Sequence, residues 1–188
     1  MSKVMIVGVG GQGTLLASRI IGKVAIKCGY DVKVSEVHGM SQRGGSVVTY
    51  VKYDDKVYSP LIFEGEADFL LAFEELEAYR WMPYLKKDGH LIVNTQQMDP
   101  MPVITGAMKY PEDIMKKINS KIENVTALDA LKGAMEAGTV KAVNIVLIGS
   151  FAKISGVDKE IWIDVIKETV PPKFLEINLK AFEIGYNS

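Results

Sequence analysis

Gly8-Val9-Gly10-Gly11-Gln12-Gly13 decides the fold of this 188-residue chain. A short apolar run, Val4-Met5-Ile6-Val7, leads into it, and Thr14-Leu15-Leu16-Ala17-Ser18-Arg19-Ile20-Ile21 follows. That order predicts a strand, a glycine turn and a helix. Glycines let the backbone turn tightly and approach a ligand closely. The start of a helix offers N–H groups without intrahelical partners and a partial positive charge, which together suit a phosphate. Gly8, Gly10 and Gly13 have the spacing of a dinucleotide-binding turn. A tight strand-to-helix turn also needs glycine with no ligand at all. Thr14 is placed to cap the helix. Leu16, Ile20 and Val24 form a stripe predicted to face a sheet. Arg19, Lys23 and Lys27 recur every four residues beside it and read first as a solvated helix face.

Working outward, Gly29 ends the first helix. Asp31-Val32-Lys33-Val34-Ser35-Glu36-Val37 alternates as a strand. A right-handed crossover would pair it in parallel with the first strand. His38 to Ser46 is a polar, glycine-bearing loop, expected at the carboxyl edge of the sheet beside the first turn. Val47 to Tyr53 and Lys56-Val57-Tyr58 flank Asp54-Asp55 and predict a β-hairpin. Ala67 to Phe73 is nearly continuous in apolar residues, as a central parallel strand is. Glu74 to Lys87 predicts a helix, with Glu74, Glu75 and Glu77 at its start and Lys86 and Lys87 at its end, shortened or kinked at Pro83. His90 to Asn94 predicts a further strand, and Val103-Ile104-Thr105 a short edge strand. From Pro111 onward the pattern is mostly helical, with segments at 111–120, 129–137, 140–154, 159–170 and 174–186, and a strand-like stretch at 124–128.

Composition narrows the function classes. Lys and Arg number 22 against 23 Asp and Glu, so the net charge of −1 gives no electrostatic case for nucleic acid or a membrane surface. The N-terminal apolar run is too short for a signal sequence. The Ala142–Gly156 stretch contains Asn144, Ser150 and Lys153 and is too short to span a bilayer. The expected location is cytoplasmic. Cys28 is the single cysteine, which excludes a cysteine-held iron–sulfur cluster. It reads as a buried, inert thiol. His38 and His90 are far apart and lack neighbouring ligand types, so no metal site is expected. His38 reads as a hydrogen-bonded loop residue rather than a catalytic base. Glu36, near the end of its strand, is also positioned for a ribose 2′-hydroxyl, as in NAD enzymes. Tyr79, Trp81, Tyr84 and Trp162 read as core or interface.

Several stretches resemble one family. Gly8-Val9-Gly10-Gly11-Gln12-Gly13 with Thr14-Leu15-Leu16-Ala17 resembles the opening of the gamma subunit or domain of 2-oxoacid:ferredoxin oxidoreductases. The more specific match is Ser35-Glu36-Val37-His38-Gly39-Met40-Ser41-Gln42-Arg43-Gly44-Gly45-Ser46-Val47-Val48, which is similar to the beta subunit of the indolepyruvate type. Ala142 to Gly149 and Glu176 to Gly185 agree. The resemblance covers essentially the whole chain.

The patterns along the chain predict an α/β domain over residues 1–188: three layers, a mostly parallel Rossmann-like sheet, a β-hairpin insertion and a helical C-terminal part. The resemblance implies CoA-dependent oxidative decarboxylation of a 2-oxoacid, here an aryl pyruvate, to acyl-CoA, CO2 and reduced ferredoxin. Thiamine diphosphate, magnesium and iron–sulfur clusters belong to this reaction. This chain lacks the Gly-Asp-Gly and following asparagine of a thiamine site and the cysteines of a cluster. The implied partner is therefore a large catalytic subunit carrying those groups and dealing with ferredoxin. The assembly is a hetero-oligomer, with a homodimer as the alternative for the isolated chain.

No catalytic residue is assigned. The candidate residues for CoA or phosphate are Gly8, Gly10, Gly11, Gln12, Gly13 and Thr14, and Gln42, Arg43, Gly44, Gly45 and Ser46. Arg43 can hold phosphate or carboxylate in bidentate fashion, and Gln42 and Ser46 can orient a neutral polar group. Two alternatives stay open. One is a pyruvate, 2-oxoisovalerate or 2-oxoglutarate type of the same family. The other is a stand-alone NAD(P)- or nucleotide-binding protein of Rossmann type.

Overall fold

A computed structural model describes residues 2–39 and 44–188. In chain order the elements are β1 (Ser2–Val9), α1 (Thr14–Lys27), β2 (Asp31–His38), β3 (Ser46–Asp54), β4 (Ala67–Ala72), α2 (Glu75–Trp81), β5 (Leu85–Asn94), α3 (Met101–Ile104) and α4 (Ile114–Asn119). Then come β6 (Val125–Leu128), α5 (Ala130–Ala137), α6 (Val143–Ile154), α7 (Lys159–Thr169) and α8 (Leu175–Tyr186). The described strands form one sheet in the order β2-β3-β1-β4-β5-β6. β1, β4, β5 and β6 pair in parallel, whereas β3 runs against both of its neighbours, β1 and β2.

The central strands are buried on both faces, and their alternate residues feed two cores. Val4 and Ile6 of β1 pack with α1, α5, α6, α7 and α8. Met5 and Val7 point the other way, toward Ala78 of α2 and Ile114 and Ile118 of α4. The result is the expected three-layer α/β arrangement. Arg19, Lys23 and Lys27 are all exposed on α1, and the last two reach α7: Lys23 Nζ donates to Thr169 Oγ1 at 3.1 Å and Lys27 pairs with Glu168 at 2.7 Å. Cys28, at the C-terminus of α1, is half-buried.

The C-terminal helices pack unusually closely. α6 buries ten of its twelve residues, from Val143 to Ala152. A Cβ at Gly149 would collide with the Phe182 carbonyl oxygen, and one at Gly185 with the Val146 carbonyl oxygen. Glycine at both positions lets the backbones of α6 and α8 touch. Phe151 meets Phe69 of the sheet edge-on, with ring centroids 5.1 Å apart, and Trp162 of α7 at 5.6 Å. Among the described residues no helix is long and apolar enough to cross a membrane.

Four local expectations are corrected. β2 does not pair with β1; β3 lies between them. Asp31, Lys33, Glu36 and His38 suit β2 to the sheet edge, where they meet water, while β3 buries Val47, Val48, Thr49 and Val51 and takes the interior place. The antiparallel insertion is thus β2 with β3, and Lys56-Val57-Tyr58 forms no strand. Instead, the Val57 N–H donates to Asp31 Oδ2 at 2.9 Å. The helix from Glu74 stops at Trp81, followed by a 3-10 turn at Met82–Tyr84, because Pro83 cannot continue the α-helical ladder. Lys86 and Lys87 therefore lie in β5, and Lys86 pairs with Asp68 at 2.5 Å. Val103-Ile104-Thr105 belongs to the short helix α3 and its C-terminal end, not to an edge strand.

Candidate functional site

The sheet topology places the two glycine-bearing stretches side by side. β1 ends at Val9, which pairs with Ser46 at the start of β3. Because β3 runs antiparallel, its first residue, rather than its last, lies at the carboxyl end of β1. Backbone hydrogen bonds then join the stretches: the Gly10 N–H donates to the Gly45 carbonyl at 2.9 Å, and the Gly44 N–H donates to the Gly10 carbonyl at 3.4 Å. Gly44 has φ 75°, the left-handed region that favours glycine. Gln42 and Arg43 lie outside the described residues.

Within the first turn each residue has a distinct place. A Cβ at Gly8 would lie 2.8 Å from both Gln12 Oε1 and Phe73 Cβ. Gln12 is turned inward: its Oε1 accepts from the Val9 N–H at 2.7 Å, and its Nε2 donates to the Phe73 carbonyl at 3.0 Å. Gly13, with φ 86°, occupies the N-cap of α1. Thr14 does not cap the helix; it is the first helical residue and is buried. Gly11, with φ 103°, stands in open space. Ser46 Oγ donates to Glu77 Oε2 at 2.5 Å.

Three clefts surround this centre. One of about 700 Å³ is lined by Gly10–Gly13, Gln96, Met98, Leu131, Val140, Lys141 and Val143. Lys141 is the single charged side chain among those lining residues. A second, of about 450 Å³, lies on the other side of the turn and includes Glu36, His38 and Val47. There Glu36 Oε2 accepts from Thr49 Oγ1 at 3.3 Å, and His38 Nδ1 lies 3.0 Å from the Gly39 carbonyl. A third, of about 570 Å³, is bounded by Gly44, Ser46, Glu74, Glu77, Arg80 and Met98, among others.

In the sequence, Glu74, Glu75 and Glu77 mark only the negative start of a helix, yet all three are buried. Glu74 caps α2 by accepting from the Glu77 N–H at 2.8 Å, and its other oxygen accepts from Tyr110 Oη at 2.5 Å and the Met98 N–H at 3.1 Å. Burial pushes the Glu74 carboxyl above the ordinary range, against the lowering effect of those hydrogen bonds. Tyr110 is pushed well above the ordinary phenol range by burial and by the Glu74 carboxylate it faces. Glu75 Oε2 accepts from Gln97 Nε2 at 3.0 Å. Glu77 Oε2 also accepts from Trp81 Nε1 at 3.2 Å, and its Oε1 pairs with Arg80 Nε at 3.2 Å. The start of α2 thereby anchors the stretches at Ser46, 96–98 and Tyr110.

Asn94, Asn144 and Lys141 were also missed. Asn94 Nδ2 donates to the Phe73 carbonyl at 3.0 Å, and its Oδ1 accepts from the Ala130 N–H at 3.1 Å. Asn144 Nδ2 reaches the Gly13 carbonyl at 3.4 Å across 131 residues of chain. The available signal was an asparagine at a strand end and another in the first turn of a largely apolar, buried helix, where an unpaired amide would be costly. Among the described residues no three His, Cys, Asp or Glu side chains converge as metal ligands.

The family model described as pyruvate ferredoxin/flavodoxin oxidoreductase matches residues 3–188. The chain is 44% identical over 187 residues to the indolepyruvate oxidoreductase subunit IorB of Thermococcus kodakarensis, covering 97% of this chain and 93% of that protein. It is 30% identical over 183 residues to the pyruvate/ketoisovalerate oxidoreductases common subunit gamma of the same organism, covering 96% and 92%. Among solved structures, the gamma subunit of a keto/oxoacid ferredoxin oxidoreductase from Geobacter sulfurreducens matches with a TM-score of 0.74 at 26% identity, covering 100% of this chain and 97% of that one.

Proposed function

This chain belongs to the pyruvate ferredoxin/flavodoxin oxidoreductase family, and from that premise we propose that it is the small subunit of a 2-oxoacid:ferredoxin oxidoreductase of the indolepyruvate type. The reaction is CoA-dependent oxidative decarboxylation of an aryl pyruvate, giving the arylacetyl-CoA, CO2 and reduced ferredoxin. The observation that carries this reading is the gap between 44% identity to an indolepyruvate subunit and 30% to a pyruvate/ketoisovalerate gamma subunit in one organism. Residues 1–188 act as one gamma-type domain in the cytoplasm.

Thiamine diphosphate with magnesium and iron–sulfur clusters supply the carbon–carbon cleavage and the electron path in such a reaction. The residues here do not fit either group. Cys28 is alone in the sequence, and no set of metal ligands converges among the described residues. Those groups are assigned to a larger partner subunit, and this chain binds and orients.

Its ligand is CoA. The cleft between the glycine turn and Lys141 combines the backbone of Gly10–Gly13, one cation and an apolar wall of Leu131, Val140 and Val143. Phosphate oxygens would take the N–H groups and the ammonium, and the apolar arm would follow the wall. The cleft holding Glu36 and His38 presents a carboxylate and suits an anion less. Gly44 and Gly45 border the turn through Gly10; Gln42 and Arg43 stay candidates from the sequence alone. The placement of β3 between β1 and β2 weighs against NAD, because Glu36 is no longer on the strand next to the turn.

The test is co-expression with the large subunit, following CoA-dependent reduction of ferredoxin or a viologen with indolepyruvate, phenylpyruvate, pyruvate and 2-oxoglutarate. Turnover that needs both chains and favours the aryl substrates is expected. Equal activity of the large chain alone would remove the subunit role, and preference for pyruvate would move the chain to the alternative subtype.

A further inference from the structure

We propose that Glu77 is a positioning residue that locks the Gly44–Ser46 stretch against the Gly10 turn, so that the two stretches present their backbone to the ligand as one unit. The ligand part of this inference rests on the CoA reading above; the mechanical part does not.

The geometry is specific. Glu77 is 5% exposed, on α2, an element that follows β4 and belongs to neither stretch. Its Oε2 accepts from Ser46 Oγ at 2.5 Å and from Trp81 Nε1 at 3.2 Å, while Oε1 is held by Arg80 Nε at 3.2 Å. The carboxylate is therefore fixed from three directions, and Ser46 meets an acceptor that cannot swing away. Ser46 is the first residue of β3 and sits opposite Val9. Directly before it, Gly45 accepts from the Gly10 N–H and Gly44 donates to the Gly10 carbonyl. These two backbone bonds join glycines with wide conformational freedom. Alone they would open readily; the Ser46–Glu77 bond pins the end of the stretch to the buried face of α2. Glu77 lines neither of the clefts that Gly10–Gly13 border; it bounds the third, together with Gly44 and Ser46, and reaches the glycine turn through Ser46.

Hydrogen exchange of the full chain reads the mechanical part. Ser46→Ala and Glu77→Ala should each lower protection of the Gly10 and Gly44 amides about tenfold, the scale of one lost hydrogen bond to a charged group. Amides of Ile6 and Leu71 should keep theirs. Ser46→Thr and Glu77→Gln retain a donor and an acceptor and should restore protection, and the double alanine variant should add nothing further. Unchanged protection at Gly10 in both alanine variants would overturn the proposal. Should Glu77→Ala fail to fold, Ser46→Ala alone decides.

In the complex with the large subunit, the same alanine variants should raise the KM for CoA about tenfold with kcat changed less than twofold. An unchanged KM alongside lost Gly10 protection would overturn the link to the ligand. A wild-type complex whose turnover ignores CoA would instead sink the functional reading, and the exchange result would still decide the role of Glu77.

Discussion

Gln12 Nε2 donates to the Phe73 carbonyl oxygen at 3.0 Å, tying the glycine turn after β1 to the carboxyl end of β4. The same amide accepts from the Val9 N–H at 2.7 Å, so Gln12 braces the turn from inside. Replacing it with glutamate keeps the acceptor and removes the donor, leaving an anion against the Phe73 carbonyl. Gln12→Glu is expected to cost about 2 kcal/mol, and Gln12→Leu about as much through the orphaned Val9 N–H. Urea unfolding of the three chains measures it. Variants within a few tenths of wild type would show that the turn holds without the brace.

Gly13 and Gly11 both have positive φ but differ in surroundings. A Cβ at Gly13 would lie 2.6 Å from Asn144 Nδ2, whereas one at Gly11 would meet nothing within 4 Å. Gly11→Ala should therefore cost only the backbone strain, about 1 kcal/mol, and Gly13→Ala about 3 kcal/mol. In an Asn144→Ala background the Gly13→Ala cost should fall toward that of Gly11→Ala. A thermodynamic cycle with no coupling between 13 and 144 would contradict the close contact.

The crossing of α6 and α8 leaves no room at Gly149 or Gly185. Either alanine substitution must push two backbones apart, with a loss of about 4 kcal/mol or more, enough to exhaust much of a typical domain's stability. Soluble yield and melting temperature report the effect. Alanine at position 185 with an unshifted melting temperature would show that the helices can separate at little cost.

The Tyr110–Glu74 pair makes stability depend on pH. Burial raises the folded Glu74 carboxyl above its ordinary, unfolded value. For an acid raised in this way, its contribution to stability is complete below that unfolded value and is lost as pH rises through the folded one. Tyr110→Phe removes a donor that favours the ionised form. Its cost should be about 1 kcal/mol at pH 4 and about 2 kcal/mol at pH 8, because a hydrogen bond to a charged acceptor is stronger. Urea titrations at the two pH values provide the comparison; an equal or smaller cost at pH 8 would be the contrary result.

Lys141 and Glu36 distinguish the two clefts beside the turn. In the complex with the large subunit, Lys141→Glu should raise the KM for CoA by about tenfold or more, as expected for exchanging an attractive phosphate contact for a repulsive one. Glu36→Gln should leave it near wild type. The reverse pattern would place the phosphates on the Glu36 side.

The three layers, the strand–turn–helix opening and the helical C-terminal part were legible because they rest on local signals: apolar period, glycine position and chain length of each run. The end of α2 was half-legible, since Pro83 marked the break but not the switch to extended chain that carries Lys86 and Lys87 into β5. Strand order was not legible. Val47 to Tyr53 alternates equally well whether it pairs with Lys56–Tyr58 or with Asp31–His38, and only burial of β3 between two neighbours settles the matter.

The sequence by itself determined the family, the glycine turn and the two glycine-bearing stretches as candidates, because each is a contiguous motif. Tertiary structure alone decided that Gly10 bonds to Gly44 and Gly45, that Ser46 is held by Glu77 and that Gly13 is covered by Asn144. These contacts join residues 31 to 131 positions apart, and no local pattern encodes which buried carboxylate or amide will meet which partner. For Gly10 with Gly44 and Gly45, the choice follows from β3 inserting antiparallel beside β1, which sets the start of β3 at the end of β1; for Gly13 it follows from α6 lying against the start of α1.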